Sequence, residues 1–147
     1  MRTVDYQFQV NWGDTDAAGI VFYPNFYKWM DQASHHFFSA IGQPSSHLYA
    51  EEKIGLPLLE AHCRFYSPLF FEDRVMIQTG VEEIREKVFT LKHRFLREEQ
   101  EVAEGYEIRA WAFLGGEKPK AHPIPEAIRQ KMNECKESLE LPRQKSK

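Results

Sequence analysis

One helix constrains this chain more than any other segment. Pro24 to Ile41 carries Phe26, Trp29, Met30, Ala33, Phe37 and Ile41 at helical spacing. At about 3.6 residues per turn these fall on one broad face, and Lys28, Gln32, His35 and Ser39 share the opposite one. The ends are marked by stereochemistry. Proline is favoured at the first helical position, where its missing N–H costs nothing. Gly42 follows the last turn, as a helix-terminating glycine should, and Pro44 comes after it. A helix with so wide an apolar face must bury it against another layer.

The rest of the chain offers strands for that layer. In Thr3 to Asn11, Val4, Tyr6, Phe8 and Val10 alternate with Asp5, Gln7 and Gln9. Leu58 to Phe65 puts Leu59, Ala61, Cys63 and Phe65 on one face. Arg74 to Glu83, Lys87 to Leu96 and Val102 to Leu114 are further strand-like runs. The charged tip Arg97-Glu98-Glu99-Gln100-Glu101 joins the last two as a hairpin. A short second helix is expected over Ser45 to Lys53, and a polar one from Glu126 to about Glu137, ahead of a polar tail from Leu139 to Lys147. The 147 residues contain no repeat or linker and make one domain's length, with a core over about 3–122 and the helix and tail over about 125–147. The expected class is α+β: one apolar helix laid on one curved antiparallel sheet.

Composition excludes several functions. The net charge of −3 leaves no nucleic-acid footprint. No run approaches the roughly 18 apolar residues of a membrane span, and Met1 to Asp5 has no signal-peptide core, so neither a membrane nor export is expected. Cys63 and Cys135 stand far apart and read as reduced structural thiols, with the cytoplasm as the expected location. Neither H-E-x-x-H nor G-x-S-x-G occurs, so no metal or serine-hydrolase centre is indicated.

Chemistry is concentrated just before the long helix, in Asn11-Trp12-Gly13-Asp14-Thr15-Asp16-Ala17-Ala18-Gly19-Ile20-Val21-Phe22-Tyr23-Pro24. Two carboxylates lie in a small-residue turn, followed by a helix N-terminus. The helix end supplies free N–H donors and a partial positive charge, and a carboxylate supplies a base or nucleophile. Asp14 is read as the residue that caps the turn.

Asp14-Thr15-Asp16-Ala17-Ala18-Gly19-Ile20-Val21-Phe22-Tyr23-Pro24-Asn25-Phe26 resembles the signature of the 4-hydroxybenzoyl-CoA thioesterase family of the hotdog fold. The resemblance extends through the element order to about Leu114 and includes the Gly55-x-Pro57 entry to the second strand. It implies an antiparallel sheet wrapped around the helix. It also implies homo-oligomers, a dimer or a dimer of dimers (a homotetramer), with active sites at the subunit interface. The implied activity is hydrolysis of an acyl-CoA, whose coenzyme A is part of the substrate, with no cofactor or metal.

Residue by residue, the resemblance makes Asp16 the catalytic carboxylate, either attacking the thioester carbonyl or deprotonating water. Tyr23 offers its backbone N–H to the developing oxyanion, and Asp31 lies near the acyl ring as an acceptor for a ring hydroxyl. Arg85 and Lys87 hold coenzyme A phosphates. The expected acyl group is hydroxybenzoyl or dihydroxybenzoyl (gentisyl-like), with short aliphatic groups as the alternative. A hotdog dehydratase would need a histidine-bearing H-F-P-G type motif, which is absent. A non-catalytic protein that binds acyl-CoA or a carrier protein is the remaining reading, and the intact Asp16 argues against it.

Overall fold

The structure, a computed structural model, describes residues 3–136. The expected tail from Leu139 to Lys147 lies outside them. The strands are β1 (Val4–Gln9), β2 (Ile54–Gly55), β3 (Leu58–Phe65), β4 (Arg74–Ile84), β5 (Val88–Arg97), β6 (Gln100–Ala110), β7 (Ala112–Phe113) and β8 (Lys120–Ala121). The helices are α1 (Pro24–Ala40), α2 (Ser45–Glu52) and α3 (Glu126–Asn133). The main sheet is antiparallel in the order β1–β4–β5–β6–β3, and β2, β7 and β8 form a small second sheet. This is the α+β hotdog arrangement.

Helix α1 lies on the main sheet and touches β1, β3, β4 and β5. Its first half packs Phe26, Trp29, Met30 and Ala33 with Val75, Ile77 and Phe95. Its second half packs Phe37, Phe38 and Ile41 with Phe89, Leu91 and Trp111, and α3 closes that end with Ile128 and Met132. The buried stripe is wider than the periodicity indicates, because Ser34 and Phe38 are buried as well. Gly105 on β6 makes the approach possible. A Cβ there would lie 2.5 Å from both the His62 carbonyl oxygen and the Met30 sulfur.

The end of α1 satisfies its last carbonyls through a left-handed glycine. Gly42 has φ 89°; its N–H donates to Ser39 O, and the Gln43 N–H donates to Phe38 O. The expected run through Leu114 is broken after Ala110. The Trp111 N–H donates to Lys87 O, and Ala112 pairs with Gly55 and Ala121 in the small sheet. Helix α3 stops at Asn133, short of the expected end near Glu137. There the Cys135 carbonyl accepts a hydrogen bond from the Val81 N–H, beside the bulge in β4. Among the described residues no helix is long and apolar enough to cross a membrane.

Strand β3 is one edge of the main sheet and, among the described residues, is paired only to β6. Of its expected apolar face, Cys63 is buried, but Leu59 and Phe65 are 59% and 44% exposed.

Candidate active site

The turn before α1 is held by its own side chains. The Asp14 carboxylate accepts the Asn11 N–H at 2.8 Å, the turn-capping role expected of it. The Asp14 carbonyl accepts the Phe22 N–H and the Asn25 side-chain amide, each at 2.9 Å. The carboxylate loop is thereby fastened to the first turn of the helix. Asp16 starts a tighter loop. Its N–H donates to Ile20 O, its carbonyl accepts the Gly19 N–H, and its Oδ1 accepts the Ala18 N–H at 2.8 Å. Gly19 supplies the left-handed φ of 82° that closes this loop. Asp16 Oδ2 is in no hydrogen bond to a described residue, and the side chain is exposed. One oxygen is thus fixed and the other faces outward.

Tyr23 caps α1, followed by Pro24. The Phe22 and Asn25 N–H groups are used by the turn, and Pro24 has none. The Tyr23 N–H makes no hydrogen bond to a described residue, so it remains as the free donor at the helix N-terminus. The Tyr23 ring is not core. It is 60% exposed and meets Phe22 and Phe65 edge-on. Beside it lies a mostly apolar pocket of about 280 Å³, lined by Ile20, Val21, Tyr23, Phe26, Phe65 and Leu69. A free carboxylate oxygen, an unpaired N–H at a helix N-terminus and an adjacent apolar pocket together suit acyl transfer from a thioester.

Asp31 lies two turns along α1. Its side chain is 54% exposed, and its Oδ1 accepts Arg109 Nη2 at 2.7 Å and lies 3.4 Å from His35 Nε2. Arg109 is buried and is held by Glu107 through Nε–H to Oε1 (2.9 Å) and Nη2–H to Oε2 (3.2 Å). Its Nη1 donates to the Leu56 carbonyl at 2.8 Å. Glu107 also accepts the Ser34 hydroxyl; Ser34 Oγ is 3.1 Å from His93 Nε2, and His93 Nδ1 is 2.8 Å from Thr79 Oγ1. Burial pushes the Glu107 carboxyl pKa up, but the His93 ring 3.6 Å away, the hydrogen bonds from Arg109 and the guanidinium charge outweigh it and hold the value down to about 2. This network escapes a reading by alternation, which places charges outward. The available signal was that Glu107 and Arg109 share strand parity with the small residues Ala103 and Gly105.

Arg85 and Lys87 are not beside Asp16 in this chain. Both are exposed in the β4–β5 hairpin, and Arg85 Nε is 3.3 Å from Glu83. That hairpin lies at the Val88 end of β5. The Asp16 turn lies at the Phe95 end, where the Val21 N–H donates to Leu69 O and the Tyr66 N–H to Val102 O. Seven strand residues separate the two ends, on the order of 23 Å. Cys63 is buried in the core with its thiol pKa pushed up to about 12 by burial and by Glu104, which makes it a poor nucleophile.

Known proteins share this arrangement. A family profile described as the thioesterase-like superfamily matches residues 10–132. The 4-hydroxybenzoyl-CoA thioesterase of Pseudomonas sp. (strain CBS-3) is 31% identical over 131 residues, 84% of this chain and 93% of that protein. A solved gentisyl-coenzyme A thioesterase is 46% identical with a TM-score of 0.81, over 88% of this chain and 99% of that one. An aspartate mutant of 4-hydroxybenzoyl-CoA thioesterase, solved with 4-hydroxybenzoyl-CoA, is 30% identical with a TM-score of 0.84, over 90% of this chain and 99% of that one. The profile spans the carboxylate turn, the helix and the main-sheet strands β3 to β6, and with that extent of agreement this chain belongs to the thioesterase-like superfamily.

Proposed function

We propose that the protein hydrolyses the thioester of a hydroxylated aromatic acyl-CoA, of the hydroxybenzoyl or gentisyl type, to the free acid and coenzyme A. The observation that carries this reading is the free oxygen of Asp16 in a turn fastened to the helix end that bears the unpaired Tyr23 N–H. The thioester oxygen accepts that N–H, and the helix dipole stabilises the negative charge that develops on it. Two routes fit. Asp16 adds to the carbonyl carbon, the C–S bond breaks with coenzyme A leaving as thiolate, and water cleaves the resulting anhydride. Alternatively, Asp16 takes a proton from water as the water oxygen adds to the carbonyl carbon, and the C–S bond then breaks with coenzyme A leaving as thiolate. Kinships with thioesterases named for 4-hydroxybenzoyl, gentisyl and 1,4-dihydroxy-2-naphthoyl groups support the aromatic substrate.

The site is read as shared between two copies of the chain. The open edge of β3, with Leu59 and Phe65 exposed, suits antiparallel pairing to a second β3. That pairing sets the Leu58 end of one sheet beside the Phe65 end of the other. Arg85 and Lys87 of one copy then approach the Asp16 of its partner, where they meet the coenzyme A phosphates. Dimers associate further into a homotetramer. The buried free thiols of Cys63 and Cys135 fit a cytoplasmic protein.

The test is release of free thiol from a panel of acyl-CoAs. Hydroxylated aromatic thioesters should give the highest kcat/KM, and Asp16→Asn should lower kcat by roughly a hundredfold or more with the fold intact. A short aliphatic acyl-CoA as the best substrate would reassign the acyl group, and near-wild-type kcat in Asp16→Asn would remove Asp16 from the chemistry.

A further inference from the structure

Tyr23, Tyr27, Asp31 and His35 stand four residues apart, so they form one ridge along α1. The ridge is open to solvent at both ends. Tyr23 is 60% exposed, and the Asp31 and His35 side chains are 54% and 41% exposed. It lies on the β6–β3 flank of the helix, because Asp31 bonds Arg109 and Tyr23 meets Phe65. The opposite flank carries the contacts to β1, through Trp29 on Phe8 and Gln32 on Tyr6. From Tyr23 to Asp31 the rise is about 12 Å. That suits an aromatic acyl group with a hydrogen bond at its carbonyl and another at its far hydroxyl.

Asp31 is the solvent-facing end of the buried network formed by Arg109, Glu107, Ser34, His93 and Thr79. Arg109 uses four N–H contacts: two to Glu107, one to the Leu56 carbonyl and one to Asp31 Oδ1. Glu107 is itself fixed from behind by the Ser34 hydroxyl, with His93 and Thr79 beyond. The guanidinium therefore cannot turn without breaking several buried hydrogen bonds. It engages one oxygen of Asp31 and leaves Oδ2 unbonded to any described residue.

We propose that Arg109 is a positioning residue that fixes the Asp31 carboxylate so that Oδ2 accepts a hydrogen bond from a hydroxyl on the acyl ring. The role goes beyond pairing. A carboxylate held by a guanidinium presents only acceptor atoms on its free side, so it takes a phenolic O–H and gains nothing from a bare ring C–H. This rests on the reading of Asp31 as the acceptor in the acyl site.

The experiment compares kcat/KM for 4-hydroxybenzoyl-CoA and benzoyl-CoA in wild type, Asp31→Ala, Arg109→Lys, Glu107→Gln and the double variant Asp31→Ala/Arg109→Lys. Wild type should prefer the hydroxylated thioester by roughly tenfold or more, since a site built around a polar group discriminates against the analogue lacking it. Arg109→Lys keeps the charge and loses the planar fork. It should reduce that preference severalfold, mainly through the hydroxylated substrate, and should have no such effect once Asp31 is already alanine. Glu107→Gln keeps the volume and frees the guanidinium, so it should act in the same direction. It supplies the test if Arg109→Lys does not fold. If Asp31→Ala leaves the preference unchanged, the acyl-site reading of Asp31 fails and the proposal with it. If Asp31→Ala removes the preference but Arg109→Lys and Glu107→Gln slow both substrates alike, Arg109 is merely structural and the proposal alone is overturned.

Discussion

Glu107 is 1% exposed, yet its pKa of about 2 makes it a carboxylate at neutral pH. Its ordinary value is 4.5. Because the folded value is depressed, the stabilisation is fully present above pH 4.5 and is lost as pH falls toward 2. The difference corresponds to about 3 kcal/mol. Glu107→Gln should therefore destabilise the protein by about 3 kcal/mol or more at pH 7, since it leaves a buried guanidinium poorly paired. The gap from wild type should narrow between pH 4.5 and 2. Urea unfolding at fixed protein concentration measures it, and a gap that does not change with pH would mean that the Glu107 charge is not what the network needs. At this scale the sequence is legible where chemistry is local. Asp14, Asp16, Gly19 and Tyr23 are contiguous, and their turn is closed by their own backbone and side chains. Asp31 entered through the family resemblance, but its arginine partner is 78 residues away and no local pattern announces it.

Among elements, the hairpin joining β5 and β6 departs from its sequence preference. Glu98 and Glu99 both have positive φ, 52° and 71°, as a tight two-residue turn of the primed type requires. Glutamate resists that conformation, whereas Asn-Gly adopts it readily. Replacing the pair, Glu98→Asn with Glu99→Gly, should raise stability by roughly 1 kcal/mol, read as a higher Tm at unchanged activity. A lower Tm would show that the glutamates make compensating interactions at the tip. Boundaries were legible where stereochemistry sets them. Proline and glycine place the ends of α1 within a residue of expectation. They were illegible where distant partners decide. Trp111 and Ala112 continue the apolar run of β6, but the Trp111 hydrogen bond to Lys87 and the pairing of Ala112 with Gly55 turn the chain into the small sheet.

For the whole molecule, the arrangement of ends is decisive. Asp16 and the pair Arg85 and Lys87 occupy opposite ends of the same strands. A single chain cannot place both on one acyl-CoA unless the nucleotide lies along the sheet, whereas antiparallel pairing of two β3 edges brings one chain's carboxylate toward the other's basic hairpin. The two geometries make opposite predictions for mixed subunits. Arg85→Ala/Lys87→Ala alone should raise KM more than it lowers kcat, because phosphate contacts far from the carbonyl bind ground and transition states alike. The effect should shrink as salt rises. Asp16→Asn alone should lower kcat. When the two inactive or weakened proteins are unfolded together and refolded, about half of the dimers are mixed by random pairing. In a mixed dimer one site carries both defects, and the other combines an intact Asp16 from one chain with intact Arg85 and Lys87 from its partner. At low acyl-CoA concentration the mixture should recover about a quarter of wild-type sites, as each mixed dimer holds one good site of two. If the basic pair serves the Asp16 of its own chain, every site in every dimer keeps at least one defect, and mixing restores nothing.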